Sequence, residues 1–107
     1  MGKGTELSEV LPGSVKTAPD IKVKKPKMYW VILHNDDYTS MEFVVNILIA
    51  IFDKVAAEAT KIMLDVHNKG KGVCGAYTYD IAVTKIKQVH AEAQKEGFPL
   101  RCSFEEA

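Results

Sequence analysis

Three side chains are candidates for convergent hydrogen-bond acceptors: Asn35, Asp36 and His67. Asn35 and Asp36 lie in the run His34-Asn35-Asp36-Asp37, where an amide and two carboxylates interrupt an apolar stretch. A carboxylate accepts hydrogen bonds, an amide oxygen accepts, and a neutral imidazole accepts at one nitrogen. Three acceptors around one point suit an ammonium group with its three N–H donors. His67 also has a simpler reading, as a residue near a helix C-terminus where the dipole favours a protonated ring. Met41 and Val44 follow the acidic run, and Met63 and Val66 precede His67. Methionine adapts to apolar groups of varied shape. The same helical spacing also makes an ordinary core. Taken together, an ammonium clamp beside an apolar hole would recognise an α-amino terminus with a bulky first side chain.

Other chemistries find less support. His34, Asp36, Asp37 and His67 could form a His/carboxylate metal set, but no HExxH, His-x-His or CxxC spacing accompanies them. Ser40 follows Thr39 at a helix cap, where its hydroxyl is used locally rather than as a nucleophile. Gly70-Lys71-Gly72 lacks the GxxxxGK[ST] pattern of a phosphate loop. Cys74 and Cys102 form no cluster with histidine and read as two reduced, buried thiols. His90 lies mid-way along a helical segment and is expected on the surface. No reaction class is assembled and no cofactor or metal is implied, which argues for a binding module rather than an enzyme.

The elements that must position these groups follow from periodicity. Met28 to Leu33 is an aromatic and β-branched run, hence a strand. Thr39 with Glu42 reads as a capping box that starts a helix over 40–52. Val44, Val45, Leu48, Ile51 and Phe52 recur at helical spacing, and Ile47 and Ile49 widen the stripe, which predicts a well-buried helix. Asp53-Lys54 breaks it. A second helix runs over 55–68 with Ala59, Ile62, Met63 and Val66 on one face, and Gly70 is its C-terminal cap. A short strand spans 73–77. Thr78 caps a third helix with Asp80 in its first turn, and Gly97 and Pro99 stop it. Leu100 to Phe104 alternates apolar and polar, as a half-buried strand does. The order β-α-α-β-α-β predicts an α+β fold: a small antiparallel three-stranded sheet packed on three helices.

Composition bounds the partners. The 107 residues make one domain, with 14 basic and 14 acidic residues. That balance hides a split. Residues 1–27 carry six lysines against three acids, and residues 28–107 carry eight basic residues against eleven acids. An acidic domain is a poor nucleic-acid surface, although Lys22 to Lys27 could touch phosphate in a nucleic-acid- or ribosome-associated protein. Residues 1–26 lack the apolar content to offset chain entropy and read as a disordered basic extension, with residues 27–107 as the folded domain. No secretory signal or membrane span is expected, which predicts a cytoplasmic protein. A monomer is the default expectation.

The segments MYWVILHNDDYTSMEFV, ATKIMLDVHNKGKGVCGAYTYDIA and FPLRCSFEEA resemble the ClpS family of adaptors. Members recognise N-degrons for the Clp AAA+ protease of bacteria and plastids. The resemblance covers 28–107, and NDDYT-x-MEFV, ML-x-VH, G-x-x-x-CG and PL-x-C occur in order. It implies that Asn35, Asp36 and His67 hold the substrate's α-amino group. It implies a side-chain pocket lined or bordered by Leu33, Thr39, Met41, Val44, Met63, Val66 and Leu100, with Met41 as the gate against β-branched first residues. Tyr79, Asp80, Thr84 and Lys85 match the surface that docks on the N-terminal domain of a ClpA-type unfoldase. The N-terminal extension is implied to take part in delivery. Ser40 stands where the family often has proline, so a looser turn with an intact capping box is expected. Val83 stands where an acid is common, beside the docking surface.

Overall fold

The computed structural model describes residues 25–107. Of the disordered extension expected over residues 1–26, residues 1–24 lie outside the described residues. Six elements follow in order: β1 (Met28–His34), α1 (Met41–Ala50), α2 (Ala56–Lys69), β2 (Lys71–Thr78), α3 (Tyr79–Glu96) and β3 (Arg101–Glu106). The sheet is antiparallel with β1 in the centre, in the order β2-β1-β3. The predicted order and fold class hold. Among the described residues no helix is long and apolar enough to cross a membrane.

Alternation along β1 decides which residues meet the helices. Val31 and Leu33 are fully buried and join Cys74 of β2, Cys102 of β3 and Leu100 in one cluster. The helices supply Val44, Ile47 and Leu48, then Ala59, Ile62 and Val66, then Ala82, Val89 and Ala93. Alanine at three of these points lets α2 and α3 each sit close against the sheet. Ile32 is buried but stands outside that cluster, on the opposite face of the sheet. Gly72 of β2 is required by α2. A Cβ there would come within 2.8 Å of Val66 Cγ2 and 3.0 Å of the Ile62 carbonyl.

Helix ends show where local signals were misread. The N-cap of α1 is Ser40, whose Oγ accepts from the Phe43 amide at 3.1 Å, so Thr39 and Glu42 form no capping box. The Thr39 hydroxyl donates to Asp36 instead, because a carboxylate is the stronger acceptor. Helix α1 stops at Ala50 rather than Phe52, since Asp53 turns the chain at φ 56°. Phe52 remains buried, whereas Met41 and Ile49 are exposed, so α1 buries one face only. Thr78 occupies the N-cap of α3 without a side-chain bond to the helix. Gly70 and Gly97 end α2 and α3 in the left-handed conformation, as expected. Strand β2 begins at Lys71, directly after the Gly70 cap, and is longer than its apolar run implied.

Candidate functional site

The turn between β1 and α1 is built around one carboxylate. Asp36 Oδ1 accepts the Tyr38 amide at 2.8 Å and the Thr39 amide at 2.7 Å, and Oδ2 accepts the Thr39 hydroxyl at 2.7 Å. Asp is suited to this because its short side chain reaches backbone donors two and three residues on. Burial is the largest single influence on Asp36 and pushes its pKa up. The bonds from Thr39 and Tyr38 together outweigh it and hold the carboxyl below its ordinary value. The turn is tied to the end of α2, where the Asn35 amide donates to the Gly70 carbonyl at 2.9 Å. Two segments far apart in sequence are thereby fixed edge to edge.

A cavity of about 230 Å³ opens at this junction. Its lining comprises Asn35, Asp36, Asp37 and Thr39 from the turn, Met41 and Val44 from α1, and Met63, Val66 and His67 from α2. Val44 and Val66 form buried walls, Met63 is half-buried, and Met41 is 46% exposed. Polar acceptors therefore gather beside an apolar hole. Asp37 is exposed and lines the cavity, a placement that the pairing of Asn35 with Asp36 alone did not single out. Its position directly after Asp36 was the available signal.

Leu33 and Leu100 do not line this cavity. Leu33 is 0% exposed and Leu100 4%, because both face the inside of the sheet–helix core, where other side chains close them off. His34 does not line it either, since one step along β1 turns its ring to the other face. There its Nε2 lies 2.7 Å from Ser103 Oγ. Among the described residues, no group of three His, Cys, Asp or Glu side chains could hold a metal ion. Burial pushes the Cys102 thiol up to about 12, and the Cys74 thiol also rises, so neither is a thiolate near neutrality.

The residues matched to docking are split in role. Tyr79, Asp80 and Thr84 are exposed at the start of α3. Lys85 is committed internally. Its Nζ donates to the Ile51 carbonyl at 2.7 Å and lies 5.7 Å from the Phe52 ring centroid and 5.3 Å from that of Tyr77. It thus serves the frayed end of α1. The Tyr79 ring stands edge-on to Tyr29 and Phe104, each 5.6 Å away, a contact that spacing along one helix cannot reveal. His90 is exposed, yet its Nε2 accepts the Cys102 amide at 3.0 Å and satisfies a donor of the edge strand β3. It is more than the free surface residue that its neighbours suggested.

Comparison with known proteins identifies the family of this chain. The family described as ATP-dependent Clp protease adaptor protein ClpS matches residues 24–103. The ClpS adapter protein of Syntrophus aciditrophicus (strain SB) is 67% identical over 85 residues, which is 79% of this chain and 79% of the relative. That of Desulfatibacillum aliphaticivorans is 57% identical over 93 residues, covering 87% of this chain and 89% of the relative. Among solved structures, Agrobacterium tumefaciens ClpS2 bound to L-phenylalaninamide superposes with a TM-score of 0.75 at 37% identity. It covers 78% of this chain and 100% of that one. The chain therefore belongs to the family of ATP-dependent Clp protease adaptor proteins.

Proposed function

We propose that this adaptor binds the free α-amino group and the bulky first side chain of N-degron substrates, and delivers them to a Clp AAA+ unfoldase. Leu, Phe, Tyr and Trp are the first residues of matching size. The chain is read as non-catalytic, monomeric in action and cytoplasmic, and residues 27–107 as its working domain. The observation that carries the reading is the cavity in which Asn35, Asp36 and His67 meet Met41, Val44, Met63 and Val66. The solved relative ClpS2 holds L-phenylalaninamide, a free amine beside a bulky apolar side chain. This supports the same ligand chemistry here.

The acceptors divide the work. Asp36 has three bonds within the turn, and a carboxylate has roughly four acceptor positions. One position remains for the ammonium group, and the neighbouring Asp37 adds a second negative charge. An α-amino group has an unperturbed pKa of about 7.7–8.0 and is mainly cationic at pH 7. A charge-assisted bond contributes roughly 1.5–3 kcal/mol. Burial of a Leu or Phe side chain contributes roughly as much again, about 1.5–3 kcal/mol. Ordering of the substrate terminus offsets part of this. The sum is a modest affinity, as a protein that hands its cargo on requires.

For delivery, Tyr79, Asp80 and Thr84 offer an exposed patch at the start of α3 to the N-terminal domain of a ClpA-type unfoldase. Lys85 contributes by tying the C-terminal end of α1 to α3. The N-terminal extension is assigned a part in delivery. The test is fluorescence anisotropy with a labelled Leu-first or Phe-first peptide, competed by its N-acetylated twin and by a Val-first peptide. Binding of the free peptide with both competitors inert is the expected result. Failure of every bulky-first peptide to bind overturns the reading.

A further inference from the structure

The face of the sheet turned away from the helices carries a row of basic side chains. Leu33 points into the core, so His34 points outward. His34 pairs with Lys71 of β2 on one side and with Arg101 of β3 on the other. Directly paired residues of antiparallel strands share a face, with Cβ atoms about 4.5–5.5 Å apart. Lys71, His34 and Arg101 therefore stand side by side across the whole sheet. Lys71 and Arg101 are exposed, and among the described residues neither forms an ion pair. The nearest acid on this face is Glu105, which pairs with Trp30 nearer the other end of β1. Burial first, then Arg101 and Lys71, lower the His34 pKa, while Glu105 raises it. The two cations are thus felt at the ring between them. Lys71 and Arg101 stand on opposite edge strands with the His34 ring between them, and no carboxylate among the described ion pairs neutralises either.

The row starts one residue along the chain from the amine clamp, on the other face of the sheet. Asn35 follows His34 and Gly70 precedes Lys71, and these two neighbours are joined by the Asn35 amide to Gly70 carbonyl bond of 2.9 Å. Consecutive Cα atoms are about 3.8 Å apart, which places the row on the order of 10 Å from the clamp. An extended peptide advances about 3.3 Å per residue. A substrate held by its first residue can therefore bring its third to fifth residues to the row. We infer that Lys71 and Arg101, with His34 between them, form a second recognition site that favours N-degron substrates carrying acidic side chains a few residues after the first.

This inference rests on the N-degron reading and deepens it. The probes are three Leu-first peptides of equal length with Glu, Gln or Lys at the third to fifth positions, titrated into the full chain by anisotropy. The Glu peptide should bind about 3- to 10-fold more tightly than the Gln peptide, and the Lys peptide more weakly than either, since exposed ion pairs are individually modest. The preference should vanish in the Lys71→Gln/Arg101→Gln double variant and in about 1 M salt, where the Debye length is ~3 Å. Both substituted positions are exposed, and unchanged binding of the Gln peptide reports that the variant is folded and its clamp intact. The His34 imidazole resonances should move with the Glu peptide and stay still with the Gln peptide. Equal affinity for the Glu and Gln peptides overturns the inference, as does a preference that survives the double variant. If no Leu-first peptide binds at all, the N-degron reading itself fails and this inference fails with it.

Discussion

Two clefts on this molecule differ in size and in what converges on them. The groove between α1 and α3 encloses about 580 Å³ over a floor that includes Phe43, Ile47, Ile51 and Phe98. Its acids, Glu42, Glu92 and Glu96, are spread along two helices, and Glu92 already pairs with Lys95 at 3.2 Å. The cavity at the end of α2 encloses only about 230 Å³, yet an amide, two carboxylates and an imidazole share its lining. Convergence of polar groups on an apolar hole marks a binding site better than volume does. The smaller cleft is also the better fixed, because Asp36 and the Asn35–Gly70 bond tie its two halves together.

The comparison breaks most visibly at the amine. N-acetylation of a Leu-first peptide removes the charge and two N–H donors. Its affinity should fall about 100-fold or more, since two charge-assisted bonds of roughly 1.5–3 kcal/mol each are lost. Equal affinity of the acetylated peptide in a competition assay would return the two clefts to parity.

A subtler change removes the support and leaves the clamp in place. Thr39→Val keeps the side-chain shape but deletes the hydroxyl that donates to Asp36 at 2.7 Å. Peptide affinity should fall about tenfold and stability by about 1 kcal/mol, as for loss of one hydrogen bond to a charged group in a partly exposed site. The pH dependence carries a sign. The folded pKa of Asp36 lies below its ordinary value, so its contribution to stability is present above the ordinary carboxylate range. That contribution is lost as pH falls through the folded value. Chemical denaturation across the acid range should show a smaller acid-induced loss in Thr39→Val than in the natural protein. An identical profile would mean that the hydroxyl does not hold the carboxylate.

The gate should alter selectivity more than overall strength. Met41 is 46% exposed at the lining of the small cavity. Met41→Ala should admit Val-first and Ile-first peptides, while Leu-first binding weakens by roughly threefold as apolar contact is trimmed. Continued rejection of both branched residues would remove Met41 from that role. The smallest effect is expected in the larger groove. Asn46→Trp fills it from an exposed position and should leave peptide affinity within about twofold, given that surface changes away from a site are usually near neutral. A large loss there would show that the bigger cleft takes part in binding.

Element order, the glycine caps and the acidic turn were legible in the sequence because each depends on neighbours along the chain. The apolar run of β1, the helical stripe of α2 and the left-handed stops at Gly70 and Gly97 are local signals, and they appear where expected. What local reading misjudged were competitions. Thr39 could cap α1 or support Asp36, and the carboxylate took it. Lys85 could face solvent or an open helix end, and the Ile51 carbonyl took it. His90 is exposed as expected, and the edge of β3 additionally supplies an amide for its ring.

By its residue types and spacing alone, this chain determined its strands and helices, and it placed acceptors on a turn and methionines on helices. Hydrophobic periodicity and backbone stereochemistry act over a few residues and can be read directly. Only the tertiary structure decided that Leu33 and Leu100 are core while Asp37 lines the cavity, and that His34 joins Lys71 and Arg101 on the far face. Those outcomes depend on strand register and on how closely α2 approaches Gly72. A single step of register moves a side chain from one face of a sheet to the other, so packing between distant segments had to settle them.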